Sequence, residues 1–157
     1  QEEAHVDLSK FRIEEAYQFA ATIEQGGFDF YGKLIDAAAS QRVKNELTAL
    51  RDDEAKHKAF FLGELRKKGA AEVGLSPGLA ALIDSEFVKP MEAFYGKGAV
   101  TTNDDALAFG AAVEQKTIDF YGELRRQSTD AGFQKDLDAI IAEEKRHKHR
   151  LEVIRAF

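Results

Sequence analysis

The sequence predicts an all-α chain: a four-helix bundle of two repeated αα-hairpins, joined by a long crossover that contains a short helix. Three observations carry this. Residues 21–58 align with residues 111–148 at an offset of 90 without a gap, and 13 of those 38 positions are identical. Within each of four segments the apolar residues recur at alternating steps of three and four, the period of helices packed in a bundle. Punctuation is sparse: Pro77 and Pro90 are the two prolines, and Gly and Asn clusters are few, which disfavours many short strands.

Two copies of a unit are too few for a solenoid, whereas two hairpins can close into one bundle. The first helix is expected near 8–37, after a cap at Asp7 or Ser9, with a seam of Tyr17, Ala20, Glu24, Gly27, Tyr31 and Leu34. Gly26 and Gly27 each cost about 1 kcal/mol mid-helix relative to Ala. A close helix approach, a metal site or simple tolerance would account for them. The second helix is expected near 41–69, capped by Ser40, with Val43, Leu47, Leu50, Glu54, His57 and Phe61 facing inward. In the stretch 70–103, Leu79, Leu82, Ile83, Phe87 and Met91 mark a shorter amphipathic helix, with Pro90 bending or ending it. The stretch is long enough to run the length of the bundle, so the helices on either side of it can lie parallel. The third helix is expected near 104–128, started by Asn103, Asp104 and Asp105. Its seam is Leu107, Gly110, Glu114, Thr117, Tyr121 and Leu124. The fourth, near 131–156, follows a cap at Thr129 or Asp130. Phe133, Leu137, Ile140, Glu144, His147, Leu151 and Ile154 form its seam. The 157 residues suit one domain, 1–157, built from hairpin 8–69, crossover 70–103 and hairpin 104–156.

Composition narrows the function classes. The net charge of −6 argues against nucleic acid or an anionic membrane as partner, since both attract basic patches. The chain has no cysteine, which removes disulfides, thiolate-held zinc, iron–sulfur clusters and thiol catalysis together. No apolar run approaches the ~18 residues of a membrane span. The first ten residues, QEEAHVDLSK, have neither a basic nor an apolar leader region, so a cytoplasmic location is the expectation. No nucleophilic triad, phosphate loop or dinucleotide turn is present.

The chemistry lies on the seams. Glu24, Glu54, His57, Glu114, Glu144 and His147 fall on core-facing positions, and the equal offsets in the two hairpins put them at one level. Four carboxylates in an apolar interior would repel one another and lack water, so unpaired they would neutralise. No Lys or Arg holds a matching seam position, whereas two divalent cations would balance the four charge for charge. Both Glu54-Ala55-Lys56-His57 and Glu144-Lys145-Arg146-His147 read Glu-x-x-His. At that spacing the two side chains share one helix face and can reach one metal. One such motif is common; two in register, each with a seam glutamate thirty residues upstream, are far more specific. The alternative is a buried, partly protonated polar network.

One glutamate from each of two helices, with Glu-x-x-His from each of the other two, is the pattern of ferritin-like di-iron proteins. The chain resembles that superfamily over about 8–156, and most closely its rubrerythrin-like branch. The repeated glutamate followed seven residues later by tyrosine in Asp-Phe-Tyr, and the paired Glu-x-x-His motifs, carry the likeness. The resemblance implies two iron ions, with Mn or Zn as substitutes, held by Glu24, Glu54, His57, Glu114, Glu144 and His147. It makes Glu54 and Glu144 the bridging carboxylates, and assigns Glu24 with His57 to one iron and Glu114 with His147 to the other. Two departures stand out. Rubrerythrins proper add a Cys₄ iron domain, which this cysteine-free chain does not carry, so the electrons are expected from an external donor protein. Many also carry a further carboxylate where this chain has Thr117, the repeat mate of Gly27, which puts redox-linked movement of an iron in doubt.

Around the ligands, Tyr31 and Tyr121 are candidate hydrogen-bond donors to ligands on another helix, and equally ordinary core tyrosines. Asp53 and Glu143 are candidate acceptors for the free ring N–H of a ligating histidine, or solvated surface residues. Asp29, Asp119, His5 and His149 read as surface residues, and Lys145, Arg146, Lys148 and Arg150 as the solvated face of the last helix. The expected function is reduction of hydrogen peroxide by a di-iron centre in a homodimer, with no nucleic acid or membrane partner. The rivals are a ferroxidase or iron-handling protein reacting with O₂, an oxidase of an organic substrate, and a non-catalytic metal-binding module.

Overall fold

The computed structural model describes residues 11–70, 73–96 and 103–156. Helices α1 (Ile13–Ala37) and α2 (Gln41–Lys67) form the first hairpin, and α5 (Asn103–Gln127) and α6 (Ala131–Ala156) form the second. Between them α3 (Pro77–Ile83) runs through a π-helical turn (Asp84–Val88) into α4 (Lys89–Gly96). This is the all-α ferritin-like bundle that the repeat predicts. Among the described residues, no helix is long and apolar enough to cross a membrane.

Local chemistry sets the boundaries. The Ser40 hydroxyl accepts from the Val43 N–H at 3.2 Å and starts α2. Asp130 rather than Thr129 caps α6, accepting from the Phe133 N–H at 2.8 Å. Asn103 is the first residue of α5 rather than its cap. The first helix begins at Ile13, not near residue 8, because Arg12 is extended. Its fully buried face opens at Ala16 and Tyr17, with Phe11 and Ile13 packed against the same core. Asp7, Ser9 and His5 lie outside the described residues. At the far end of α2, Gly69 takes φ +82°, a conformation glycine adopts without strain. Its N–H reaches Arg66 O and that of Ala70 reaches Leu65 O, closing the helix at Lys67.

Side-chain pairings fix the directions. Tyr31 meets Glu114 and Tyr121 meets Glu24, so α1 and α5 are antiparallel. His147 meets Asp53 and His57 meets Glu144, so α2 and α6 are antiparallel too. With each hairpin itself antiparallel, α2 and α5 run the same way, and the crossover must travel the bundle's length. It does so along α1 and α5. The Val73 and Ser76 N–H groups donate to Gln18 and Glu15 of α1 at 3.0 and 2.7 Å. Phe87 packs on Phe120 and Phe94 stacks on Phe109, both from α5.

Pro90 does not end the crossover helix, which continues to Gly96. Proline has no N–H, and its ring collides with the carbonyl four residues back. The ladder widens by one residue just before it, so that the Lys89 N–H bonds Asp84 O, five residues back.

The apolar interior comes in two blocks. One contains Tyr17, Phe19, Phe61, Leu65, Leu124, Phe133 and Leu137; the other contains Phe30, Leu34, Leu47, Leu107, Leu151 and Ile154. The glutamates and histidines of the seams occupy the level between them. Phe61 is fully buried against Tyr17 and Tyr121. Phe61→Ala is expected to destabilise the fold by about 3–5 kcal/mol, read by denaturant unfolding.

Candidate metal centre

Each of the six seam residues arrives from a different point of the repeat. Glu24 comes from α1, Glu54 and His57 from α2, Glu114 from α5, and Glu144 and His147 from α6. All six are buried, with 1–6% of their surface exposed. They converge as two quartets, Glu24–Glu54–His57–Glu144 and Glu54–Glu114–Glu144–His147, whose donor atoms lie within 4.8 Å of one another. Glu54 and Glu144 belong to both. The arrangement crosses between hairpins: His57 Nδ1 lies 2.9 Å from Glu144 Oε1, and His147 Nδ1 lies 3.0 Å from Glu54 Oε1. The imidazoles stack nearly parallel, with centroids 5.5 Å apart.

The tyrosines take the role of donors across the α1–α5 seam. The Tyr31 hydroxyl donates to Glu114 Oε1. The Tyr121 hydroxyl donates to Glu24 Oε1 at 3.1 Å, and also lies 3.2 Å from Ala20 O. Each of these glutamates therefore has one satisfied oxygen. Among the described residues, Glu24 Oε2 and Glu114 Oε2 are the buried side-chain atoms left without a hydrogen-bond partner. Such orphans are rare in native interiors and call for an explanation.

Asp53 and Glu143 serve the opposite hairpin rather than their own helix. Asp53 Oδ2 is 3.1 Å from His147 Nε2, and Glu143 Oε2 is 4.0 Å from His57 Nε2. Because α2 and α6 run antiparallel, the carboxylate just before Glu54 or Glu144 faces the ring from across the seam. Asp29 and Asp119 are exposed, each accepting from the glutamine four residues earlier. His149 is exposed, and the basic residues of α6 lie on its outer side, with Arg146 paired to Glu143 and Arg150 to Glu46.

Electrostatics follow from burial. Burial pushes Glu24 up to about 7. It raises Glu54 and Glu144 well above the usual carboxylate range, helped by the charges of the other glutamates. Burial also disfavours charge on Glu114, but hydrogen bonds from Glu144 and His147 outweigh it and hold Glu114 low. Burial alone would lower His147; its bonds to Glu114 and Glu54 bring it up to about 10. His57 stays below its ordinary value because desolvation dominates. The cluster thus keeps itself neutral by taking up protons, and those protons are what cations would displace. Four carboxylates, two imidazoles and two orphaned oxygens in a shared-ligand arrangement fit a di-iron site.

Sequence reasoning missed the cross-hairpin approach of Asp53 to His147 and of Glu143 to His57, which depends on the antiparallel pairing of α2 with α6. For Gly27 it left a close approach, a metal site or tolerance open. The structure shows a close approach: a Cβ there would sit 3.0 Å from Glu54 Oε2, so the missing side chain makes room for the shared carboxylate. Gly26 has open space around its Cβ position, and nothing in the structure explains it.

No curated protein and no solved structure matches the chain. The family model described as Rubrerythrin matches residues 15–154, nearly the whole sequence and all six buried Glu and His positions. The chain belongs to the rubrerythrin family, within the ferritin-like di-iron carboxylate superfamily.

Proposed function

We propose that the protein is a non-haem di-iron oxidoreductase that reduces hydrogen peroxide to water with electrons from an external donor protein. The observation that carries this is the pair of buried quartets sharing Glu54 and Glu144. In this reading Glu54 and Glu144 bridge, Glu24 and His57 hold one ion, and Glu114 and His147 hold the other. Two iron ions would supply the two electrons that hydrogen peroxide takes, with two protons, to give two waters.

The chain's own groups prepare the site. Tyr121 and Tyr31 each engage Oε1 of a terminal glutamate, which fixes the carboxylate and leaves Oε2 free to bind a cation. The Nδ1 atoms of both histidines face the carboxylates. The outward Nε2 of His147 lies 3.1 Å from Asp53 Oδ2, so with Nδ1 on a cation its N–H would donate to Asp53 and hold the ring's orientation. Apolar blocks on both sides keep bulk water away from the layer. The donor set of carboxylates with two imidazoles suits iron or manganese and will accept zinc.

Stopped-flow mixing of the reduced, iron-loaded protein with peroxide and, separately, with O₂ tests the reading. The expected result is faster oxidation by peroxide. Faster oxidation by O₂ would favour a ferroxidase instead, and failure to react with either would leave a metal-binding module.

A further inference from the structure

A cavity of about 220 Å³ lies between α1, α5 and the crossover. Its inner end is formed by Glu24, Glu54, Glu114 and Glu144. Its walls are mostly apolar: Phe30 and Val113 from the bundle, with Phe87, Val88 and Met91 from the crossover. Neither His57 nor His147 lines it, so it approaches the carboxylate layer from the side opposite the imidazoles.

Three local features keep this space open. Gly27 contributes no side chain where any Cβ would press on Glu54. Its repeat mate Thr117 also lines the cavity, and turns its hydroxyl back to Val113 O at 3.1 Å, so that it offers no free donor there. The crossover passes this level as its π-helical turn. Phe87 packs with the apolar block on one side of the layer, and Met91 with the block on the other. Val88, one of two large apolar side chains left exposed among the described residues, and Asp29, also exposed, both line the cavity and mark where it opens to solvent.

Hydrogen peroxide would fill only a small part of this volume, and most of the wall between the carboxylate end and the mouth is apolar. An engineered apolar cavity of about 150 Å³ in another protein stays dry and takes up benzene. An organic anion is disfavoured, because four glutamates close the inner end and no basic residue lines the walls. We propose that the cavity binds one small neutral apolar molecule, about the size of a methylated benzene ring, with one end against the carboxylate layer. This deepens the di-iron reading by giving the same site an organic ligand.

Met91 is the chain's single methionine, so labelling with ¹³C-methyl methionine places one resonance in the cavity wall. Toluene titrated into the full chain, metal-free and zinc-loaded, is expected to shift that resonance saturably, while benzoate is not. Val88→Trp, at the exposed mouth, is expected to weaken toluene binding at least about tenfold with helical content and zinc stoichiometry unchanged. No saturable shift with toluene would overturn the proposal, as would equal binding of benzoate, or toluene affinity unaltered in a folded Val88→Trp protein. Zinc stoichiometry measured on the same samples separates this outcome from failure of the metal assignment, since the cavity can be empty of toluene while the metal is bound.

Discussion

Glu54→Ala is expected to take bound iron from about two ions per chain to below one, whereas Glu114→Ala keeps about one. The difference follows from the geometry, because Glu54 stands in both quartets and Glu114 in only one. With Glu54 as a shared ligand, its removal would take an oxygen from each ion and also leave His147 Nδ1 without its 3.0 Å partner. Removing Glu114 empties the side shared with His147 and spares Glu24, Glu54, His57 and Glu144. Glu144→Ala should follow Glu54→Ala, and Glu24→Ala should follow Glu114→Ala. Metal analysis after anaerobic loading reads the number, with far-UV circular dichroism to show that each variant folds. Equal losses in all four variants would mean that the carboxylates do not divide into shared and unshared ligands.

The second large effect concerns protons. The metal-free protein is expected to lose stability as pH rises from about 6.5 to 10. Glu24 is pushed up to about 7, above its unfolded value. Its stabilising contribution is complete below the unfolded carboxylate pKa and is lost as pH rises through about 7. His147 is raised to about 10, so its contribution is complete below the unfolded imidazole pKa and is lost on the way to about 10. Glu54 and Glu144 shift in the same direction. Glu114 is lowered, but its contribution changes only in the acid range, below the unfolded carboxylate value. His57 is lowered as well, and opposes the trend only below about 6.5. A fall in Tm of about 5–10 °C across the window is expected for a chain of this size. Metal reverses the sense. Ligands must shed protons to bind it, so the stabilisation by metal grows with pH. With free metal at about 1,000 times Kd the stabilisation reaches about 4 kcal/mol, or roughly 10 °C or more in Tm. Calorimetry of both forms across the pH series checks this; a metal-free Tm that is flat or rising above pH 6.5 would contradict it.

The bundle was legible because its signal is periodic and doubled. Seams stepping by three and four put Leu47, Leu50 and Phe61 on one face of α2, and the repeat required the same of Phe133, Leu137 and Leu151 on α6. The six Glu and His positions stood out by the same logic, since a charged residue on an apolar seam violates the pattern that surrounds it. Tyr31 and Tyr121 could be read as donors to ligands on another helix, or equally as ordinary core tyrosines. Which glutamate each would meet depends on the antiparallel pairing of α1 with α5, a tertiary fact. Asp53 and Glu143 were harder still: they lie off the seam, and only the stacking of two imidazoles between α2 and α6 brings them to the rings. The crossover was the least legible element. Proline was expected to bend or end its helix, yet a one-residue widening of the hydrogen-bond ladder absorbed Pro90 and carried the helix on to Gly96. The start of α1 was expected near residue 8 on candidate caps at Asp7 or Ser9, whereas Arg12 is extended and the helix starts at Ile13.

The account rests on two cations neutralising four buried carboxylates. Anomalous scattering at the iron edge, from crystals of the protein loaded anaerobically with Fe(II), tests this most directly. It predicts two peaks per chain within the carboxylate layer, both within bonding distance of Glu54 and Glu144, one beside Glu24 and His57 and the other beside Glu114 and His147. A layer with no peak under iron-replete conditions, its glutamates hydrogen-bonded only to one another and to the histidines, would contradict it.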